Sequence, residues 1–476
     1  MDSSPVDVTR HRLLVDGQWI SAQDVVEVRS PYSGSVVALV PSVGADIAKQ
    51  AVDAAAEAMS KPLMAHERAE ILARTADAIG RRAEEFARAI VLEAGKPLRA
   101  ARAEVERAMS TLQLSAVEAR KLTGSVIAMD ATAAGVGKIG FTLRIPIGVV
   151  AAISPFNFPL NLVAHKVGPA LAAGCAVVLK PARQTPVSAL LLAEAFQQAG
   201  LPGGWLNVIV GPSEAIGDVF VTDRRVKLIS FTGSAEVGWQ LARRAAKKRV
   251  KLELGNAAPL IVTADGDVKD AAAKTAANAF SNAGQSCISV QRVFVHRSLY
   301  QDFVAALLPA VDALRVGDPL DDMVDVGPVI DRANRDRILS WINDSGGKVV
   351  AGGGLTPDGI IRPTVICEPD PTAQIACEEA FGPVCTVAPF DDLSEAIAAA
   401  NATSLGLQAA IFTADYRTAL RAVRELEFGA VIVNEAPTWR ADQMPYGGVK
   451  DSGNTKEGPA YTIQDMTEER LVVLSL

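Results

Sequence analysis

The sequence predicts an α/β protein built on parallel sheets, and three observations predict it. Short apolar runs alternate with helical stretches between Cys175 and Gly255, the pattern of repeated β-α units. A second series of the same kind begins at Pro259-Leu260-Ile261-Val262. The runs are nearly continuous in Val, Ile and Leu, as strands covered on both faces are. At 476 residues the chain exceeds one ordinary core, so two or more domains are expected.

The elements follow in order. From Asp46 to Leu122, Ala, Leu, Glu and Arg recur at helical spacing, broken once at Gly95-Lys96-Pro97. A β-like stretch over 124–144 carries glycines at 135, 137 and 140, where a hairpin can turn. Strands are expected at 175–180, 206–210, 226–231 and 250–254, with helices at 185–200, 213–220 and 234–248 between them. In the second series a helix leads to Cys287, strands cover 291–295 and 430–434, and units of the same kind lie between. The tail at 471–474 reads as one more strand, whose partner is either the 124–144 hairpin or another subunit.

Composition narrows the function. A net charge of −7 gives no basic footprint for nucleic acid or an anionic membrane. Five cysteines are too few for a disulfide scaffold, and Cys367, Cys377 and Cys385 lack metal-binding spacing, so no metal is expected. No apolar run reaches the ~20 residues that cross a bilayer. The acidic start, Met1 to Asp7, has no apolar stretch, so no leader is expected and a reducing cytoplasm fits best.

Three tracts carry chemistry. Cys287 follows Asn282-Ala283-Gly284-Gln285-Ser286. It is either a buried small hydrophobe or a nucleophile, because backbone amides at such a turn lower a thiol pKa and bind an oxyanion. Cys175, within an apolar strand, reads as structural. Glu253, in Leu252-Glu253-Leu254-Gly255, is either a solvated edge residue or a desolvated base. Asn157, between Phe156 and Phe158 and flanked by Pro155 and Pro159, is a turn residue or a rigid amide donor. No GxGxxG follows a strand; instead Phe231-Thr232-Gly233-Ser234 ends one and opens a helix whose free N–H groups suit a pyrophosphate. Lys180-Pro181 ends another strand, at the edge where such sheets bind ligands.

Taken together, PFNFP, LKPA, FTGS, LELG, GQSC and EEAFGP, in this order over nearly the whole chain, resemble the aldehyde dehydrogenase superfamily. The resemblance implies that family's fold: a Rossmann-like cofactor domain (1–122 and 145–253), an α/β catalytic domain (254–449) and a β-hairpin oligomerisation element (123–144 and 450–476). It implies homodimers or homotetramers. It also implies oxidation of a small aldehyde with NAD or NADP through a Cys287 thiohemiacetal and thioester. Asn157 and the Cys287 backbone N–H would hold the oxyanion. Glu253, supported by Lys166, would activate the hydrolytic water. By the same implication Lys180 binds the adenosine ribose and Gly233 and Ser234 the pyrophosphate. Glu379 holds the nicotinamide ribose, with Phe381 beside the ring. Ile153, Ser154, Pro155, Phe156 and Ala182 complete the cofactor site together with Gly211, Phe231, Val237, Leu254 and Gly255. A carboxylate at Glu253 argues for hydrolysis rather than acyl transfer to CoA. The retained Cys287, Glu253 and Asn157 argue against a non-catalytic relative.

Two departures stand out. Asn256 replaces the second glycine of the family's LELGG, where its tolerance of left-handed backbone suits the turn. Arg183 stands where NAD-preferring relatives often carry Glu. It is either a solvated arginine or a partner for the 2′-phosphate of NADP, and the reading leans to NADP. The family's substrate tunnel falls on Arg107, His165 and Arg440, together with Phe158, Ser286, Ile288 and Tyr446. Two arginines facing one pocket call for an anion, a substrate phosphate, phosphonate, sulfonate or carboxylate; the alternative is protein acids such as Glu104, Glu106 or Asp442. The pattern resembles the subgroup that handles phosphonoacetaldehyde, lactaldehyde, sulfolactaldehyde or phosphorylated glyceraldehyde. Within it, a small anionic aldehyde is expected, with a neutral hydroxyaldehyde such as lactaldehyde as the alternative.

Overall fold

The computed structural model describes residues 8–476; the acidic start, on which the expectation of no leader rests, lies outside them. Two seven-stranded sheets organise the chain. In the first, Arg249–Glu253, Val226–Thr232, Val149–Ile153, Val177–Lys180 and Leu206–Val208 run parallel, in that order. Leu13–Val15 and Gln18–Ile20 then extend it antiparallel. Val177–Lys180 is buried throughout because helices cover both faces, among them Asn161–Ala173 and Val187–Gln198. The N-terminal strands escaped the sequence reading because they are only three residues each.

The second sheet runs Lys348–Ala351, Thr364–Cys367, Val384–Phe390, Val290–His296, Ala258–Val262, Gln408–Phe412 and Ala430–Val433. It is parallel except at its first pair. A third sheet answers the question of the tail. Thr467–Ser475 pairs antiparallel along Lys138–Pro146, which in turn pairs with Val126–Ile127. Gly140 lies in that strand rather than in a turn, where any side chain would collide with Met129. The sheet leaves Val126, Leu471 and Leu476 exposed.

The N-terminal helical region has more breaks than the one expected. It forms Ala45–Ala58, Ala65–Arg81, Ala83–Ala94 and Leu98–Lys121. Pro62 stands in the first gap, and Arg82 leaves helical geometry at φ −115° and ψ 20°. Gly95, left-handed at φ 68°, ends the third helix, and Pro97 opens the fourth. Among the described residues no helix is long and apolar enough to cross a membrane.

Candidate active site

The carboxyl ends of the first sheet's parallel strands open into a cleft of about 780 Å³. Ile153, Lys180, Phe231 and Thr232, and Glu253 with Leu254 and Gly255 reach it as their strands end, which is where open α/β sheets bind ligands. Cys287, Glu379, Phe381 and Tyr446 close the far side.

Cys287 is delivered by a strained loop. Asn282, Ala283 and Gly284 are all left-handed, at φ 51°, 53° and 67°. Such geometry costs about 1–3 kcal/mol at a non-glycine residue and persists only where its surroundings enforce it. Here Gly284 packs so closely on Gly382 that a Cβ would stand 1.9 Å from its carbonyl oxygen. Gln285 pins the loop: its side chain accepts from Ile330 N–H at 2.8 Å and donates to the Asn282 carbonyl at 3.2 Å. Its own carbonyl accepts from Asn157 Nδ2 at 2.9 Å, which ties the amide donor to the thiol's loop.

The thiol is in its resting form. Cys287 Sγ lies 2.9 Å from the Tyr446 hydroxyl, and burial pushes the thiol up to about 12, only partly offset by that bond. Burial is the largest influence on the resting thiol. Ile288, Leu407 and Tyr446 pack as a small apolar cluster against the sulfur. Glu253 is buried, and neither carboxylate oxygen has a partner among the described residues. Burial, then the charge of Glu457, raises its pKa well above the ordinary range. A base of this kind takes up a proton more readily than an ordinary carboxylate.

Lys166, from the buried helix Asn161–Ala173, donates to Ser230 Oγ at 3.1 Å and Thr232 Oγ1 at 2.6 Å. It also faces Glu457 at 3.5 Å. Glu457 was missed by sequence reasoning because Thr455-Lys456-Glu457-Gly458 reads as a solvated turn. A bridge between Tyr446 and Glu457 carries it inward. Burial would raise Glu457, but Lys166 and then Arg440 hold it well below the usual carboxylate range.

The tunnel arginines are already paired. Arg107 donates to Asp442 at 2.8 Å, and Arg440 to Glu457 at 3.1 Å while lying 3.8 Å from the centre of the Tyr446 ring. The demand for an anion that two unpaired guanidiniums would create is thus met by protein acids. Asp442 was one of the acids weighed; Glu457 was not. His165 Nε2 stands between them, 3.3 Å from both Asp442 and Arg440. Arg107 and Phe158 line a neighbouring cavity of about 430 Å³ rather than the main cleft, and His165, Ser286, Ile288 and Arg440 line neither, which leaves Tyr446 as the expected substrate residue on the cleft wall.

Residues expected to hold a dinucleotide converge on the cleft. Ser154, Pro155, Phe156, Ala182, Arg183, Gly233 and Ser234 line it with those already named. Phe156 and Phe381 meet edge to face at 5.8 Å. Ser234 N-caps Ala235–Arg244, so that helix start faces the cleft. Two expected residues do not line it. Gly211 sits against Val43, whose carbonyl oxygen would be 2.0 Å from a Cβ, so its role is close packing. Val237 lies on an outer helical face, while Gly238 and Leu241 face the core. Sequence reasoning also missed Asn334 and Arg337, which line the cleft from the helix Arg332–Asn343.

Asn256 needs no left-handed turn. It is buried, donates through Nδ2 to the Gln408 carbonyl at 2.9 Å and accepts from Leu407 N–H at 3.4 Å. Its own N–H binds Glu379 Oε1 at 2.9 Å. The substitution is absorbed by side-chain hydrogen bonds to the second sheet rather than by backbone tolerance.

Lys180 tests whether a dinucleotide fits. Its ammonium is buried beside the cleft, has no carboxylate partner among the described residues, and is lowered to about 8 by burial and by Arg183. The Ser154 hydroxyl on the same wall is buried with no hydrogen-bond partner among the described residues. The hydroxyls and phosphates of a dinucleotide match both.

The aldehyde dehydrogenase family model matches residues 19–472. The chain belongs to the aldehyde dehydrogenase family. It is 42% identical, over all of both chains, to a 3-sulfolactaldehyde dehydrogenase of Priestia aryabhattai. It is 38% identical to the NADP(+) succinate-semialdehyde dehydrogenase of Escherichia coli, covering 98% of each. Against a lactaldehyde dehydrogenase of Methanococcus maripaludis the identity is 36%, over 97% of this chain and 99% of that one. The crystal structure of aldehyde dehydrogenase 21 from Physcomitrella patens, in complex with the reaction product succinate, superimposes with a TM-score of 0.95 at 38% identity, covering 99% of each chain. The fold is the aldehyde dehydrogenase fold, and the protein is an oxidoreductase acting on aldehydes with NAD or NADP.

Proposed function

We propose that this aldehyde dehydrogenase oxidises a small anionic aldehyde to its carboxylic acid through a thioester on Cys287, with Glu253 as general base. The observation that carries the reading is the convergence of Cys287, Glu253 and Asn157 on one cleft that Lys180 also lines. Lys180, Arg183, Ser234 and Glu379 would hold the dinucleotide, with Phe156 and Phe381 beside its ring. The lean to NADP rests on Arg183.

The thiol first gives up its proton to water in the cleft, and its sulfur bonds to the aldehyde carbon, pushing the carbonyl pair onto oxygen. The second Asn157 amide hydrogen and the Cys287 backbone N–H donate to that oxyanion. When bound, the nicotinamide supplies the acceptor for the hydride that leaves the substrate carbon, giving the thioester. Glu253 then takes a proton from water as the water oxygen attacks the thioester carbon. The C–S bond breaks, and the acid and the Cys287 sulfur are released. Lys166 and Glu457 orient and tune Glu253 from behind.

The sulfolactaldehyde and succinate-semialdehyde relatives, named for anionic aldehydes, support an anionic substrate. A small neutral hydroxyaldehyde such as lactaldehyde is the second reading, favoured by the carboxylate each arginine already holds. The first sheet forms the core of the proposed cofactor domain and the second that of the catalytic domain. The exposed apolar residues of the third sheet suit homodimers or homotetramers.

The test is reduced-nucleotide formation from phosphonoacetaldehyde, sulfolactaldehyde, glyceraldehyde 3-phosphate and succinate semialdehyde against lactaldehyde, propanal and benzaldehyde, with each nucleotide separately. Arg440→Leu should weaken kcat/KM for an anion by about 2–5 kcal/mol more than for propanal. Equal losses would return the arginines to a structural role. Cys287→Ser should abolish oxidation, and Glu253→Gln should give one burst of reduced nucleotide and stall. Full steady turnover by either variant sinks the mechanism.

A further inference from the structure

Asn157 lies in the loop between the strand Val149–Ile153 and the helix Asn161–Ala173. The loop is tied at its start by Ser154 N–H to the Lys180 carbonyl at 3.2 Å, and in its middle by Asn157 to Gln285. Its far end depends on a residue from another helix. Glu104, on Leu98–Lys121, accepts at Oε1 from Leu160 N–H at 2.9 Å and Asn161 N–H at 3.1 Å. The helix it caps has no side-chain cap of its own. The other Glu104 oxygen accepts from Lys96 Nζ. That ammonium lies 3.6 Å from the centre of the Phe158 ring, the residue next to Asn157.

Both side chains of the Lys96–Glu104 pair are fully buried. Replacing such a pair by apolar residues is often neutral or stabilising, so its presence calls for a reason other than stability. Its three contacts with the loop, two N–H groups and one ring, all fall within Phe158–Asn161, immediately after the oxyanion donor. Lys96 stands at the break between two helices, where Gly95 and Pro97 fix the backbone that aims it. We propose that Lys96 and Glu104 are positioning residues that hold the Asn157 amide in register with the Cys287 carbonyl adduct, acting through the Phe158–Asn161 segment. The proposal rests on the oxyanion role given to Asn157 above.

The consequence is specific to one step. Release of the loop end leaves the cofactor wall intact but lets the amide drift, and a displacement of about 1 Å can cost ~100-fold in rate. Lys96→Met and Glu104→Gln should each slow the pre-steady-state burst of reduced nucleotide about 10- to 100-fold. Nucleotide KM should stay within about twofold, and Lys96→Arg should recover most of the burst. The decisive comparison is made in the Asn157→Ala background. There Lys96→Met and Glu104→Gln should add almost nothing, because the group they position is gone. Losses that multiply in that background, or fall equally on nucleotide binding, overturn the proposal. If Lys96→Met does not fold, the near-isosteric Glu104→Gln carries the same comparison by itself. A full burst from Asn157→Ala alone would instead refute the oxyanion role, a failure separate from that of the positioning pair.

Discussion

Gly255 and Glu379 share one volume. A Cβ on Gly255 would stand 2.3 Å from Glu379 Oε2, so the missing side chain is the space into which the carboxylate folds. Asn256 N–H secures the other oxygen at 2.9 Å. Burial pushes Glu379 up to about 7, with the Asn256 bond and then Arg337 pulling against it. A carboxylate held ready at the cleft surface in this way suits a pair of ribose hydroxyls.

Gly255→Ala must therefore displace Glu379 and leave most of the rest in place. Nucleotide KM is expected to rise tenfold or more, roughly the loss of one charge-assisted hydrogen bond at about 1.5–3 kcal/mol. Aldehyde KM at saturating nucleotide should hold within about threefold. Equilibrium titration of nucleotide binding checks it, and unchanged affinity would remove Glu379 from the cofactor site.

Asn256 makes the opposite prediction. Its side chain satisfies the Gln408 carbonyl and the Leu407 N–H, both on the second sheet's side, and touches no catalytic group. Asn256→Ala should lower stability by about 1–3 kcal/mol by leaving buried polar groups unpaired, with kinetics close to the parent enzyme. Urea unfolding monitored beside kcat separates the two effects. A fall in kcat with no fall in stability would contradict this account.

The pH dependence of thioester hydrolysis is set behind Glu253. Burial and then Glu457 raise the Glu253 pKa, while Arg440 and Lys166 lower it. Its proton-accepting form therefore grows as pH rises, and kcat should climb on the acid limb where hydrolysis limits. Glu457→Gln deletes the like charge and frees both cations to act on Glu253. Both changes lower its pKa, so the acid limb should shift down. A kcat–pH profile reads this directly, and a shift upward would refute the coupling.

Much of this site was legible because its residues sit in short tracts whose chemistry is local. Cys287 after Gly284-Gln285, Glu253 at a strand end and Asn157 between prolines each announce themselves, and the alternating apolar runs give the parallel sheets that align them. Glu457 was hidden because its importance comes only from folding: nothing in a charged turn shows that a bridge to Tyr446 will bury it between Lys166 and Arg440. The pairing of Arg107 with Asp442 was hidden likewise, since a guanidinium reads the same whether its anion is a substrate or a distant aspartate. The thiol's resting state depends on how deeply folding buries it, which residue types alone do not give. Lys96 read only as a helix break, because its partner ring and carboxylate belong to other segments.

Arg183 is the remaining decision, between two nucleotides that differ by one phosphate. It lines the cleft near Lys180, whose ammonium it helps to lower, and it has no carboxylate partner among the described residues. A guanidinium there adds positive potential beside the adenosine ribose and removes the repulsion that a carboxylate would exert on a 2′-phosphate. Glu27 lines the same cleft, but its charge is already engaged by Arg29. Arg183→Glu reverses the local sign by two charges and leaves the Cys287 side untouched. The ratio of kcat/KM for NADP to that for NAD should fall about fivefold or more, since an exposed charged contact is worth up to about 1 kcal/mol and the reversal adds repulsion. The change should appear in nucleotide KM rather than in the burst rate at saturation. It should also shrink as salt is raised, because an exposed charge pair is screened. Unchanged discrimination would make Arg183 a solvated surface residue and move the choice of nucleotide to other groups along the wall.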